Sequence, residues 1–458
     1  MARATLVVVA ALVLIARLSQ LDLVWIEEAY PMAAAAQILH GKFLYRDIWF
    51  DKPPLYAAVY LLWGAAPGWG LRLAGTLYAL LSPALLYGFA RERWGRREAV
   101  IAGSLLGIYL TFGIPSAVMA LAPDLLTVAP HIAAVWLAWK GRAFWAGGAA
   151  GVAFLCNPKG AFVLAACLLW AWRSWLALVA GFALPNAIFL GVLAVNGALS
   201  DYWQQVWIWG AIYARDTFVA NPLLEGLRRT ANWAGFQLAA VVGLVWWWRR
   251  DPDRKMLAWV LIAAIGVFAG FRFFPRYYFL LLPPVVLLGA RGIAMMKRQA
   301  AAAVLLLALI PVVRFGPRYV HLLRGDRAWP DLAMMQDSRL AGDELKKAAA
   351  PGSDLLVWGY RPDIFVYSGL PAATRFLDSQ PLSGVIADRH LGDSRASAPE
   401  LAAANRKRIE GITPAFIVDG LGPYNPALAV DHYLDLGSYR VIARNPGSIV
   451  YQRAAPGR

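Results

Sequence analysis

The chain has 458 residues, of which 60% are hydrophobic and 16% charged, whereas soluble domains carry about a quarter charged residues. The apolar residues come in blocks of membrane-spanning length, which excludes an ordinary soluble globule and points to an α-helical polytopic membrane protein. The net charge of +16 does not indicate nucleic acid, because most Lys and Arg residues sit in short loops between apolar blocks rather than on one face of a soluble module.

The N-terminal stretch "MARATLVVVAALVLIARLSQ" has signal-peptide character. Arg17 and Leu18 follow its apolar run without a small-x-small cleavage pattern, so it is read as an uncleaved first span over 4–20. Further apolar blocks fall at 71–89, 98–114, 120–138, 175–195, 235–248, 256–270, 277–295 and 300–315. The stretch 144–172 is too long for one straight span, and Asn157, Pro158, Lys159 and Gly160 interrupt it, predicting two short helices that meet at a break. The two cysteines, Cys156 and Cys167, both lie in apolar segments and form no disulfide framework or metal pattern. The pattern predicts about eleven spans.

Dense basic loops at 91–98, 140–142, 173–174, 249–255 and 297–299 then mark the cytoplasmic side. With the N-terminus inside, a long first outward loop covers 21–70, and everything after about 316 lies outside. Residues 1–320 are therefore expected to form the membrane domain and 325–458 a small extracytoplasmic α/β domain. In the latter, "DSRLAGDELKKAAA" and "PELAAANRKRIEG" read as helices, and "SDLLVWGY", "AFIVDG", "YRVIAR" and "SIVYQR" as strands. No Gly-rich nucleotide fingerprint follows a strand, so no cofactor is assigned.

Several ionisable residues stand where spans meet the outward loops. Glu27 and Glu28 open a helix over "EEAYPMAAAAQILHG", expected to lie along the membrane surface, where the helix dipole favours acids at its start. Asp124 follows Pro123 at the outward end of the fourth span, and an acid there is costly unless paired or wet. Solvated acids and a capped helix start are the plainer alternatives for these three. Lys52 in "IWFDKPPLYAAVYLLWG", Lys159 in the helix break, and Arg272 and Arg276 in "FRFFPRYYFLLLPP" are candidate phosphate contacts; snorkelling to headgroups is the alternative. Asp51 either orients Lys52 or caps the turn. Carboxylates with cations at an outward cavity suit transfer from a lipid-linked phosphate donor, the carboxylate acting on an acceptor hydroxyl and the cations on the leaving phosphate. A lipid or polysaccharide transporter is the competing reading, since broken helices also occur in carriers.

These stretches resemble the GT-C membrane glycosyltransferases, especially family 39 and the RgtA/B/C/D-like group, whose relatives include the protein O-mannosyltransferases and the lipid A aminoarabinose transferase. The likeness rests on Glu27-Glu28-Ala29-Tyr30, on "GKFLYRD" leading to Asp51-Lys52-Pro53-Pro54, on "AGVAFLCNPKGAF" and on "FRFFPRYYFLLLPP", over roughly residues 20–300. The resemblance implies a GT-C fold and inverting transfer of a hexosyl or pentosyl group from a polyprenyl-phosphate sugar, at the outer face of a bacterial cytoplasmic (inner) membrane. It places the catalytic acid at Glu27, with Glu28 partly interchangeable with it because Glu stands where Asp is usual. It also assigns Asp124 as the second acid and Lys52 beside the carrier phosphate, with Arg276 close by. Tyr30, Asp51, Lys159, Arg272 and Tyr277 complete the expected substrate-binding set. The expected partners are the lipid-linked donor, membrane lipids and a glycan, lipid or protein acceptor. A divalent metal is not uniformly required in the family, and no compact ligand cluster occurs in the sequence.

Overall fold

The computed structural model describes residues 2–216 and 221–454. It is a helical bundle carrying a small mixed sheet at its C-terminal end. The expected break is present: one helix runs Ala143–Cys156 and the next starts at Gly160. The helices Trp69–Arg93, Pro123–Trp139, Trp175–Val195 and Arg254–Phe268 follow the predicted blocks within a few residues, the usual error of a boundary read from sequence.

Two blocks differ. The last predicted span, 300–315, is two helices, Arg298–Leu306 and Leu309–Leu323. The preceding block starts late, because Pro275–Phe279 forms a 3-10 turn before the helix Leu282–Met295. Among the described residues three helical segments are both long and apolar enough to cross a membrane: Trp69–Arg93, Gly160–Val195 and Arg298–Leu323, the last made of those two helices in succession.

Close packing in the bundle depends on small residues. A Cβ on Gly147 would sit 1.9 Å from the Leu178 carbonyl oxygen, and one on Gly181 would sit 1.9 Å from that of Phe144. The helices Ala143–Cys156 and Trp175–Val195 therefore touch backbone to backbone, as small-residue seams permit. This contact fixes the helix whose end leads into Asn157 and Lys159.

The helix expected along the membrane surface, Ile26–Leu39, is covered by other parts of the chain. Ala29, Met32, Ala33, Ala34 and Ala35 are fully buried, and the helix packs between the Pro54–Trp63 segment and the helix Asp363–Ser368 of the C-terminal region. Its run of alanines, too weakly amphipathic to choose a face, suits a helix enclosed on all sides.

The C-terminal sheet contains β1 (Leu355–Trp358), β2 (Phe416–Asp419), β3 (Tyr439–Arg444) and β4 (Ile449–Arg453), in the order β1-β2-β4-β3. β1 pairs with β2 in parallel, Leu355 opposite Phe416. β2–β4 and β4–β3 are antiparallel, with Phe416 opposite Gln452 and Tyr439 opposite Arg453. β1 and β2 are buried along their whole length, as parallel strands covered on both faces are. All four strands fall on the stretches expected from their apolar and β-branched residues.

Candidate active site

The site gathers at the start of the helix Pro123–Trp139. Pro123 occupies the first turn, where its missing N–H costs nothing, and Asp124 follows in the positive end of the helix dipole. Asn157 ends the helix Ala143–Cys156 in extended conformation. Its side-chain amide donates to Asp124 Oδ1 at 3.1 Å, while its Oδ1 accepts from the Lys159 backbone N–H at 3.0 Å. The helix break is thus bonded directly to the second acid.

Two cations meet the acids there. Arg276 Nη1 pairs with Glu27 Oε1, and Arg276 Nε lies 3.5 Å from Asp124 Oδ2. One guanidinium therefore bridges both carboxylates, a use suited to its planar fork. Lys159 Nζ lies 3.7 Å from Asp124 Oδ1 and 3.0 Å above the centre of the Tyr277 ring. Among the described residues Asp124 is its ionic partner, at a distance longer than a normal hydrogen bond. Tyr56, from the segment after Lys52, donates to the Glu27 carbonyl. The four charges cancel, two acids against two bases.

Glu28 stands elsewhere. It is fully buried; Arg72 Nη1 and Nη2 donate to its two oxygens at 3.1 and 2.5 Å, and the Trp25 N–H donates to it at 3.0 Å. Arg72 also donates to the Gln20 and Leu23 carbonyls, and Arg17 to those of Met119 and Val118. Glu28 therefore anchors the start of its helix, while Glu27, one residue earlier, turns toward Arg276. The two acids are not interchangeable in this fold.

Lys52 pairs with Asp51 at 2.6 Å and lies 5.5 Å from the Tyr213 ring, whose face also carries Arg272 at 3.6 Å. Arg272 departs from the expected role. It is 2% exposed and committed to Asp388 and to the carbonyls of Tyr213 and Asp216, so it joins the C-terminal region to the segment 213–216 rather than offering a free cation. Left-handed backbone flanks it at Phe271 and Phe273 (φ 52° and 49°). Such strain in non-glycine residues persists where surrounding contacts over-determine it. Here Arg229 helps by donating to the carbonyls of both Arg272 and Phe273.

Tyr30 also has a structural contact set: its hydroxyl donates to the Trp49 carbonyl at 3.1 Å and accepts from the Asp51 N–H at 3.4 Å, while its ring lies against Phe50 and Tyr360. Tyr360 brings the C-terminal region to the site from the turn at Gly359, which has a φ of 108°. Asp378 is buried nearby, its Oδ1 accepting from the Gln380 N–H at 2.8 Å. Burial, with the Asp51 carboxylate adding to it, pushes the Asp378 carboxyl up to about 7; Tyr30, Tyr360 and Lys52 are its other titratable neighbours.

A raised carboxyl means that the folded chain holds the proton more tightly than the unfolded one. The stability contributed is present at acid pH and is lost as pH rises from about 4 to about 7. Asp378→Asn, which keeps the oxygen facing Gln380, should flatten this fall. Melting temperatures measured between pH 5 and 8 should decline less for the variant than for wild type, and parallel curves would contradict the assignment.

Sequence reasoning does not assign a site role to Asn157, Arg72, Tyr213, Tyr360 or Asp378. Asn157 carried a signal, as the first residue of the break; the others lie in segments with no local motif. Among the described residues no three His, Cys, Asp or Glu side chains gather in a metal-sized cluster.

This architecture is the GT-C glycosyltransferase fold. It is shared over 99% of this chain and 98% of the other with ArnT from Cupriavidus metallidurans bound to undecaprenyl phosphate, at 16% identity and a TM-score of 0.66. The Archaeoglobus fulgidus oligosaccharyltransferase, in complex with zinc and sulfate, matches over 98% of this chain and 73% of its own at 15% identity, with a TM-score of 0.52. The same archaeal enzyme, AglB, with an inhibitory peptide and a dolichol-phosphate, matches over 99% and 74% at 13% identity, with a TM-score of 0.51. Residues 51–203 match the family described as dolichyl-phosphate-mannose-protein mannosyltransferase; the stretch holds Asp51, Lys52, Asp124 and Lys159 but not Glu27. No curated protein sequence matches significantly.

Proposed function

We propose that this chain is a membrane glycosyltransferase that moves a hexosyl or pentosyl group from a polyprenyl-phosphate carrier to an acceptor hydroxyl. The observation that carries this reading is Arg276 bridging Glu27 and Asp124, with the Lys159 ammonium, ion-paired to Asp124, beside them. A site whose cations are shared between carboxylates can exchange one anion for another. When the donor phosphate enters, Arg276 and Lys159 turn to it, and Glu27 is released to face the acceptor.

Glu27 then takes the acceptor hydroxyl proton as the acceptor oxygen attacks the anomeric carbon. The bond from that carbon to the phosphate oxygen breaks, its electron pair leaves with the polyprenyl phosphate, and one displacement inverts the centre. Lys159, Arg276 and Lys52 stabilise the charge that grows on the leaving phosphate. Asp124 orients Lys159 and Arg276. Tyr277 supports Lys159 through its ring face.

Beside the site, an apolar cavity of about 110 Å³ runs past Tyr278, Phe279, Trp233, Phe236, Phe112 and Phe315. It fits the first isoprene units of a carrier. By this reading the N-terminus is cytoplasmic, residues 1–320 carry the chemistry within about eleven spans, and residues 325–458 cover the site from outside.

The test uses the full chain in detergent with undecaprenyl phosphate and its unphosphorylated alcohol, undecaprenol, as probes in native mass spectrometry. The phosphate should be retained at least about tenfold better than the alcohol, and Lys159→Met should remove most of that preference, in line with loss of a charge-assisted hydrogen bond. Equal retention of both lipids by wild type would rule out a carrier-phosphate site.

A further inference from the structure

The short segment Tyr45–Phe50, just ahead of Asp51 and Lys52, is held by side chains that come from far along the chain. Gln205, fully buried, accepts from the Phe50 N–H at 2.7 Å and donates to the Tyr45 carbonyl at 2.8 Å. A primary amide can do both, whereas a carboxylate cannot donate and an ammonium cannot accept. Gln205 lies in a π-helical stretch, Trp203–Ile208, a rare form that concentrates at functional sites.

Arg375 reaches the same segment from the C-terminal domain. It donates to the Tyr45 carbonyl, pairs with Asp201 at 2.7 Å, and its own carbonyl accepts from the Trp49 N–H at 2.6 Å. Tyr45 itself is held in left-handed conformation at φ 68°, where a tyrosine stays only if its surroundings fix it. The strapped segment passes its position on directly, because the Tyr45 hydroxyl donates to the Lys52 carbonyl at 2.8 Å.

We infer that Gln205 and Arg375 are positioning residues for Lys52, acting through the backbone of residues 45–50 to aim its ammonium at the carrier phosphate. The inference rests on the role of Lys52 in the proposed function. Neither side chain touches the phosphate. They remove the freedom of a loop that would otherwise have to be ordered each time the carrier binds.

The experiment measures affinity of the full chain for undecaprenyl phosphate and for undecaprenol in Gln205→Ala, Lys52→Ala and the double variant. Gln205→Ala should weaken phosphate binding by about tenfold with the alcohol unaffected, the size expected from losing two buried backbone anchors. In the Lys52→Ala background the same substitution should cost nothing further, since residues acting through one another are non-additive. An equal cost in both backgrounds, or an equal loss for the alcohol, would overturn the positioning role while leaving the Lys52 assignment intact. Wild-type phosphate binding by Lys52→Ala would instead remove the Lys52 assignment and the positioning role together. If Gln205→Ala does not fold, Gln205→Glu, which keeps the acceptor for Phe50 but loses the donor, and Arg375→Lys carry the same cycle.

Discussion

Glu27→Gln should reduce sugar transfer by roughly two to four orders of magnitude, the range lost with a general base, in a protein that still folds and reaches the membrane. The amide retains the size of the carboxylate and can still accept from Arg276, so the packing around the Ile26–Leu39 helix is preserved. It cannot take a proton. The check is mass spectrometry of lipid-linked intermediates and products from cells or vesicles carrying the variant. Accumulated donor with lost product supports Glu27 as the base. Unchanged transfer would remove it from that role, and a transporter would then regain ground as the better reading.

Glu28→Ala should fail in a different way. Arg72 is 1% exposed, and Arg17, also buried, lies in the same network. Removing the one carboxylate that pairs with Arg72 leaves a buried guanidinium without its anion, which costs about 3–5 kcal/mol when a buried pair is broken from one side. Thermal unfolding in detergent should therefore show a large fall for Glu28→Ala and a small one for Glu27→Gln. The double variant Glu28→Met/Arg72→Met should recover much of the loss, because apolar replacement of both partners removes the uncompensated charge. Wild-type stability for Glu28→Ala would contradict the anchoring role.

These contrasting expectations mark where the sequence stopped being informative. Adjacent glutamates on a helix point about 100° apart, yet nothing local says which one faces inward, and the deciding partner, Arg72, lies 44 residues away. Arg272 and Arg276 pose the same difficulty, since the left-handed backbone at Phe273 lies between them and no aromatic pattern announces it. By contrast, the Asn157–Gly160 break, Asp124 beside Pro123, and Lys52 beside two prolines were legible, because helix breakers and charges stand out against apolar spans. The burial of the Ile26–Leu39 helix was not, since part of its cover, the helix Asp363–Ser368, comes from more than 300 positions later in the chain. Tyr360 and Asp378 were hidden for the same reason.

Arg375 also has a consequence for biosynthesis. It holds the carbonyl of a residue made 330 positions earlier. At ~5–20 residues per second, roughly 15–65 s separate synthesis of the loop from synthesis of its clasp. During that interval the first loop has been made without the contacts that set Lys52. The chain would therefore emerge from the ribosome as an inactive precursor that matures only when its last quarter has been made and docked. Ribosome-stalled or C-terminally truncated products would remain unable to draw on the lipid-linked sugar pool.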